Sequence, residues 1–100
     1  MASVKEDHKP LMTAALEKET GIDWHTAPSP AFVVDERLLE RNLKLLKSVQ
    51  DRTGCEILLA LKGFSMWSTF PMARNYLAGI TSSSLFEARL GFEEFDKEVH

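Results

Sequence analysis

The chain has 100 residues, a formal net charge of −3, 44% apolar and 27% charged residues, which is the balance of one globular segment and not of a disordered tail. The mildly acidic charge and the lack of a Lys/Arg cluster interleaved with aromatics exclude a nucleic-acid footprint, so no nucleic-acid partner is expected. No run approaches the roughly 18 apolar residues of a membrane-spanning helix, and the single cysteine, Cys55, excludes an internal disulfide.

In chain order, residues 1–29 read as a polar leader broken by Pro10, Gly21 and Pro28, with a short helix over 11–20. The start Met1-Ala2-Ser3-Val4-Lys5 lacks the apolar core of a signal peptide, and with the lone thiol this gives a cytoplasmic expectation with no membrane contact. Ala31-Phe32-Val33-Val34 is β-branched and aromatic and predicts a strand. Asp35 then offers an N-cap to an amphipathic helix that carries Leu38, Leu39, Asn42, Leu43, Leu45, Leu46 and Val49 and ends at Gly54. Ile57-Leu58-Leu59-Ala60-Leu61 is a continuous apolar run, as in a parallel strand buried on both faces. A second helix is predicted over Ser68–Leu77, with Pro71 in its first turn and Gly79 just past its end. Ile80-Thr81-Ser82 reads as a strand, and Ser84-Leu85-Phe86-Glu87 as a capping box opening a helix to about Phe95. Glu98-Val99-His100 begins a last strand.

This alternation of strands and helices predicts an α/β fold with parallel strands. A complete (β/α)8 barrel takes on the order of 250 residues, so the chain is expected to hold about three of its units, as a truncated part.

Lys62 directly follows the apolar run, at the carboxyl end of a parallel strand, where barrel enzymes build their sites. A partly desolvated amine there is a nucleophile for an aldehyde cofactor; the bland reading is a solvated strand-end lysine. Glu87 either shapes a site or only closes its capping box, and Ser82, Ser83 and Ser84 either present donors to an anion or only cap the helix. Phe64, Met66, Trp67 and Phe70 either line a pocket for an ammonium-bearing chain or pack a helix onto the sheet. His8, His25 and His100 show no metal-ligand spacing, so no metal is expected.

From Pro30 to His100 the chain resembles the opening of the pyridoxal-phosphate (PLP) decarboxylases of the alanine-racemase-like barrel type, in Pro30-Ala31-Phe32-Val33-Val34-Asp35 and in Ile57-Leu58-Leu59-Ala60-Leu61-Lys62. Gly63-Phe64-Ser65-Met66-Trp67-Ser68-Thr69-Phe70-Pro71 and Thr81-Ser82-Ser83-Ser84-Leu85-Phe86-Glu87-Ala88-Arg89-Leu90-Gly91 are similar to the carboxynorspermidine decarboxylase branch. The ornithine and diaminopimelate branches usually carry an asparagine where this chain has Phe64 and an acidic residue where it has Thr81. The resemblance implies that residues 30–100 are the N-terminal part of a PLP-binding (β/α)8 barrel whose β-rich C-terminal domain lies outside this chain. It implies PLP as cofactor on Lys62, a contribution of Glu87 to the cofactor site, a carboxylated polyamine as substrate, carboxynorspermidine or carboxyspermidine, and a homodimer. The groups that protonate the cofactor ring and the product carbon are expected outside these residues, which makes the segment alone inactive. Three other readings stay open: a non-catalytic PLP carrier on the same barrel, another amino-acid decarboxylase of this fold type, and a small α/β interaction module without cofactor.

Overall fold

The computed structural model describes residue 18 and residues 21–100. It divides into two compact units, Met1–Asp35 and Glu36–His100. In the first, Asp23 organises a turn: its carboxylate accepts from the His25 N–H at 3.0 Å and its carbonyl from the Thr26 hydroxyl at 2.9 Å. The Ser29–Pro30 peptide bond is cis. The helix expected over 11–20 lies outside the described residues except for Lys18, which is helical. The strand expected at Ala31–Val34 is not formed, and Phe32 is 95% exposed. Strand-forming side chains report a fit to a pleated, half-buried surface; here no described strand pairs with them.

The second unit is a three-stranded parallel sheet with helices on one face. Helix α1 spans Glu36–Thr53, starting directly after Asp35. Glu36 in its first turn and Arg52 in its last complement the helix dipole. Gly54 follows with φ +76° and donates its N–H to the Gln50 carbonyl at 2.8 Å, the left-handed stop expected there. Leu43 is buried and Leu39 packs beside it, while Leu38, Leu45 and Leu46 are exposed. The buried stripe is thus narrower than the apolar one.

Strands β1 (Leu58–Ala60), β2 (Gly79–Thr81) and β3 (Glu98–Val99) lie in that order, all parallel, with Leu58 opposite Gly79 and Gly79 opposite Glu98. Further bonds extend the ladder: Ala78 N–H to the Ile57 carbonyl, Leu61 N–H to Thr81, and His100 N–H to Ile80. Residues 57–61 therefore behave as the expected strand, but half-buried apart from Leu61, not covered on both faces.

The helix expected over 68–77 is shorter and of mixed type. A 3₁₀ turn, Trp67–Thr69, leads into α2, Phe70–Ala73, with Pro71 at its start. Beyond Ala73 the bonds tighten to three-residue spacing, Asn75 N–H to the Met72 carbonyl and Tyr76 N–H to the Ala73 carbonyl, both at 3.1 Å, and the carbonyls that follow are held by distant side chains: Gln50 Nε2 donates to Tyr76 O at 2.7 Å and Lys97 Nζ to Leu77 O at 2.8 Å. Gly79 is consequently a strand residue and not the cap of a helix, and a Cβ there would run into the Glu98 carbonyl of the neighbouring strand. Helix α3, Leu85–Leu90, widens into a π-helical turn, Gly91–Phe95, closed by Asp96 at φ 56°. The wide turn leaves Phe92 exposed and Phe95 fully buried.

The core between sheet and helices is Leu43, Leu61, Phe70, Ala73, Leu77, Ile80 and Phe95, with Leu59 and Val99 packed against it. Phe70 and Phe95 meet edge to face, centroids 5.3 Å apart. Alternation along the strands leaves the other face to Leu58 and Ala60, Gly79 and Thr81, and Glu98 and His100.

Candidate active site

All three strands run the same way, so their carboxyl ends share one edge of the sheet. Each supplies a different group there. After β1 the chain turns tightly, with the N–H groups of Gly63 and Phe64 both donating to the Ala60 carbonyl at 3.0 and 3.2 Å. The turn buries Leu61 to 2% and leaves Lys62 exposed, without a hydrogen bond or ion pair among the described residues. The partial desolvation expected of its amine is not supplied by these residues, because the helices cover only the other face.

After β2, the serine run forms the turn into α3. Ser84 is its N-cap: the extended backbone lets the hydroxyl accept from the Glu87 N–H at 3.1 Å. The Glu87 carboxylate reaches back to the Ser83 N–H at 2.8 Å and the Ser84 hydroxyl at 3.2 Å. This is a capping box closed one residue earlier than the simplest form, on Ser83 and not on Ser84. Ser82 donates its N–H and its hydroxyl to the His100 carbonyl at 2.7 and 3.1 Å. Of the donors that sequence offered to an anion, the Ser82 and Ser84 hydroxyls and the Ser82 and Ser83 N–H groups are bonded within the protein.

After β3 comes His100, whose Nε2 lies 2.8 Å from Glu98 Oε1. Sequence reasoning passed over this pair. Its signal was present: residues two apart in a strand share a face, and a carboxylate and an imidazole on a sheet face opposite the core are polar groups with nothing apolar to serve.

Of the aromatic and thioether side chains after Lys62, Phe70 belongs wholly to the core, Phe64 and Met66 are half-buried, and Trp67 is 62% exposed. A shallow cleft of about 280 Å³ opens at the opposite, amino edge of the sheet, lined by Gln50, Cys55, Tyr76, Ala78 and Lys97 among others. Beside it the Tyr76 hydroxyl donates to Glu40 at 2.7 Å, and that bond to a carboxylate raises the phenol's pKa above its ordinary value. Among the described residues no group of three or more His, Cys, Asp or Glu side chains gathers, and no helix is long and apolar enough to cross a membrane.

No protein-family model matches the chain. Curated relatives do. It is 52% identical over 73 residues to the carboxyaminopropylagmatine decarboxylase of Synechocystis sp., covering 73% of this chain and 19% of that protein. It is 43% identical over 72 residues to a carboxynorspermidine/carboxyspermidine decarboxylase of Herminiimonas arsenicoxydans, covering 72% of this chain and 20% of the relative. The Campylobacter jejuni protein of the same name is 42% identical over 72 residues, covering 72% and 19%. Among solved structures, the C. jejuni carboxynorspermidine decarboxylase complexed with norspermidine superposes with a TM-score of 0.71 at 40% identity, over 74% of this chain and 20% of that one. The chain spans about a fifth of the length of the relatives it matches. Its parallel β/α units are those of part of an alanine-racemase-like barrel. Over 72–74% of its length, the chain is thus a homologue of about one fifth of the carboxynorspermidine/carboxyspermidine decarboxylases.

Proposed function

We propose that this chain is part of a PLP-dependent decarboxylase that converts carboxynorspermidine or carboxyspermidine to norspermidine or spermidine, in the cytoplasm and as a homodimer. The observation that carries the reading is the place of Lys62, just past the carboxyl end of strand β1, in a chain 42–52% identical to named decarboxylases. The residues present fit such a cofactor. Lys62 offers a primary amine to its aldehyde, and the side chains in the row beside it, Ala60 and Thr81, are short enough to admit a planar ring.

When bound, PLP would supply an electron sink for the pair released as CO2 leaves. The chain's own residues do the rest of what falls to this segment. Lys62 would hold the cofactor through its primary amine. Its reach is fixed by the turn after β1, pinned at both Gly63 and Phe64. Glu87 shapes the site from one shell away, because its carboxylate fixes the β2–α3 turn that borders the same edge. The protein's carboxylated polyamine substrate is a multiply charged cation, for which the exposed face of Trp67 beside the lysine's turn is a suitable cation–π partner.

One observation favours a second substrate of the same class. Identity is higher to the relative named for carboxyaminopropylagmatine, 52% against 43% and 42%, so a guanidine-ended carboxylate is the competing substrate.

The experiment uses the protein expressed from its complete reading frame. Borohydride reduction in the presence of PLP, followed by peptide mass mapping, is expected to label Lys62, and Lys62→Ala to abolish labelling and CO2 release. Labelling of Lys47 or Lys97 in its place, or of no lysine, sinks the proposal. Rates of CO2 release from carboxynorspermidine, carboxyspermidine and carboxyaminopropylagmatine then rank the substrates.

A further inference from the structure

The sheet face opposite the helices has a definite layout. Ala60 lies opposite Thr81, and the pairing of Gly79 with Glu98 and Ile80 with Val99 continues to place His100 beside Thr81. Three hydrogen bonds hold that register: His100 N–H to the Ile80 carbonyl at 3.0 Å, and the Ser82 N–H and hydroxyl to the His100 carbonyl at 2.7 and 3.1 Å. The row below Lys62 therefore reads Ala60, Thr81, His100. Strands lie about 4.8 Å apart, so the imidazole stands roughly 10 Å across the sheet from the strand that ends in Lys62. Two short side chains form a shelf between them. A planar heterocycle held at Lys62 and extending over that shelf would reach toward His100.

The imidazole is also fixed in orientation. Glu98, two residues earlier on the same strand and the same face, takes His100 Nε2 at 2.8 Å. With Nε2–H given to the carboxylate, Nδ1 is the ring atom left for a ligand. Both side chains are about half exposed, 49% for His100 and 58% for Glu98, so both are open to the space above the shelf. No requirement of the core explains the pair, since the core lies on the other face.

We propose that His100 is a direct contact of the cofactor held at Lys62 and that Glu98 is its positioning residue. This rests on the reading of Lys62 as the PLP lysine. The test is arranged so that the two fail separately.

The complete protein is prepared as wild type, His100→Ala and Glu98→Gln. Each is examined for borohydride labelling of Lys62, for the absorption spectrum of bound PLP, and for PLP affinity by equilibrium dialysis. Lys62 is expected to be labelled in all three. His100→Ala is expected to weaken PLP binding about tenfold, the worth of one hydrogen bond to a polar ligand, and to shift the cofactor's absorption maximum. Glu98→Gln keeps the side chain's shape and is expected to shift the maximum in the same direction with a smaller loss of affinity. Unchanged spectrum and affinity in both variants, with Lys62 labelled, overturn the proposal and leave the functional reading standing. An unlabelled Lys62 in the wild type overturns the functional reading itself, and this proposal with it. If His100→Ala fails to fold by circular dichroism, Glu98→Gln decides alone: its carboxylate is exposed and outside the core, so an unshifted spectrum there is sufficient to reject the pair.

Discussion

At the residue scale, the most constrained position is one whose sequence reading differs from its place in the fold. Glycine inside a strand ordinarily costs about 0.5–1 kcal/mol relative to alanine, so Gly79→Ala would be expected to stabilise β2. The Glu98 carbonyl occupies the space that a Cβ at Gly79 needs. Overpacking of this kind costs about 1–3 kcal/mol and outweighs the gain, so Gly79→Ala is predicted to lower the urea midpoint of the protein, and a raised midpoint refutes the close approach. Tyr76 allows a prediction in pH. Its bond to Glu40 raises the phenol's pKa above 10.0 by favouring the neutral, donating form. A group whose folded pKa is raised stabilises the fold fully below its unfolded pKa and loses that contribution as pH rises through the folded value. The contribution of the Tyr76–Glu40 bond is thus present at neutral pH and is lost as pH rises through the raised phenol value. Tyr76 is the single tyrosine of this chain, so the phenolate absorbance lost in Tyr76→Phe isolates its titration; Glu40→Gln is expected to bring the midpoint down, and an unmoved midpoint denies the bond. The place of Lys62 just past a strand was legible in sequence, because an apolar run ending in lysine marks the end of a strand. His100 was not: its meaning depends on register with Thr81, which is settled by bonds from Ser82 to a residue 18 positions away.

At the scale of elements, legibility followed how local the deciding interaction is. Helix α1 stops just before Gly54, and α3 starts just after its N-cap Ser84, as the sequence rules imply, since caps are made within a few residues. Helix α2 ends at Ala73, short of Leu77, where its bonds tighten to three-residue turns, and the Tyr76 and Leu77 carbonyls beyond it are taken by Gln50 and Lys97, across 26 and 20 positions. No periodicity encodes that. Ala31–Val34 fails for a related reason, as strand propensity does not name a partner. The capping box gives this scale its prediction. Ser84→Ala removes the acceptor for the Glu87 N–H and should cost about 1 kcal/mol of stability. Glu87→Gln retains an oxygen that can accept from the Ser83 N–H, so it should cost much less and leave PLP affinity near wild type, whereas Glu87→Ala should destabilise as Ser84→Ala does. If Glu87→Gln releases PLP while stability is unchanged, the glutamate touches the cofactor directly and its role is more than shaping the turn.

At the scale of the molecule, the described sheet is covered on one face only, and the face that carries Ala60, Thr81, Glu98 and His100 meets water. Lys62 is exposed in that setting, as Lys47 and Lys97 are. What distinguishes a cofactor lysine from Lys47 or Lys97 is a surrounding site that holds the ring, excludes water and strengthens the electrostatic interactions within it. The 100-residue chain holds about a fifth of the length of its relatives, and none of its described groups closes over Lys62. Selectivity of labelling is therefore expected to be a property of the complete protein. With limiting PLP and borohydride, the isolated chain should label Lys62, Lys47 and Lys97 to similar extents and release no CO2 from any carboxylated polyamine. The complete protein should label Lys62 almost alone. Mass-mapped label ratios measured on both samples decide the matter: strong preference for Lys62 in the isolated chain would mean that the turn after β1 and the row Ala60–Thr81–His100 already hold the cofactor by themselves. Equal labelling in the complete protein would mean that the site lies elsewhere.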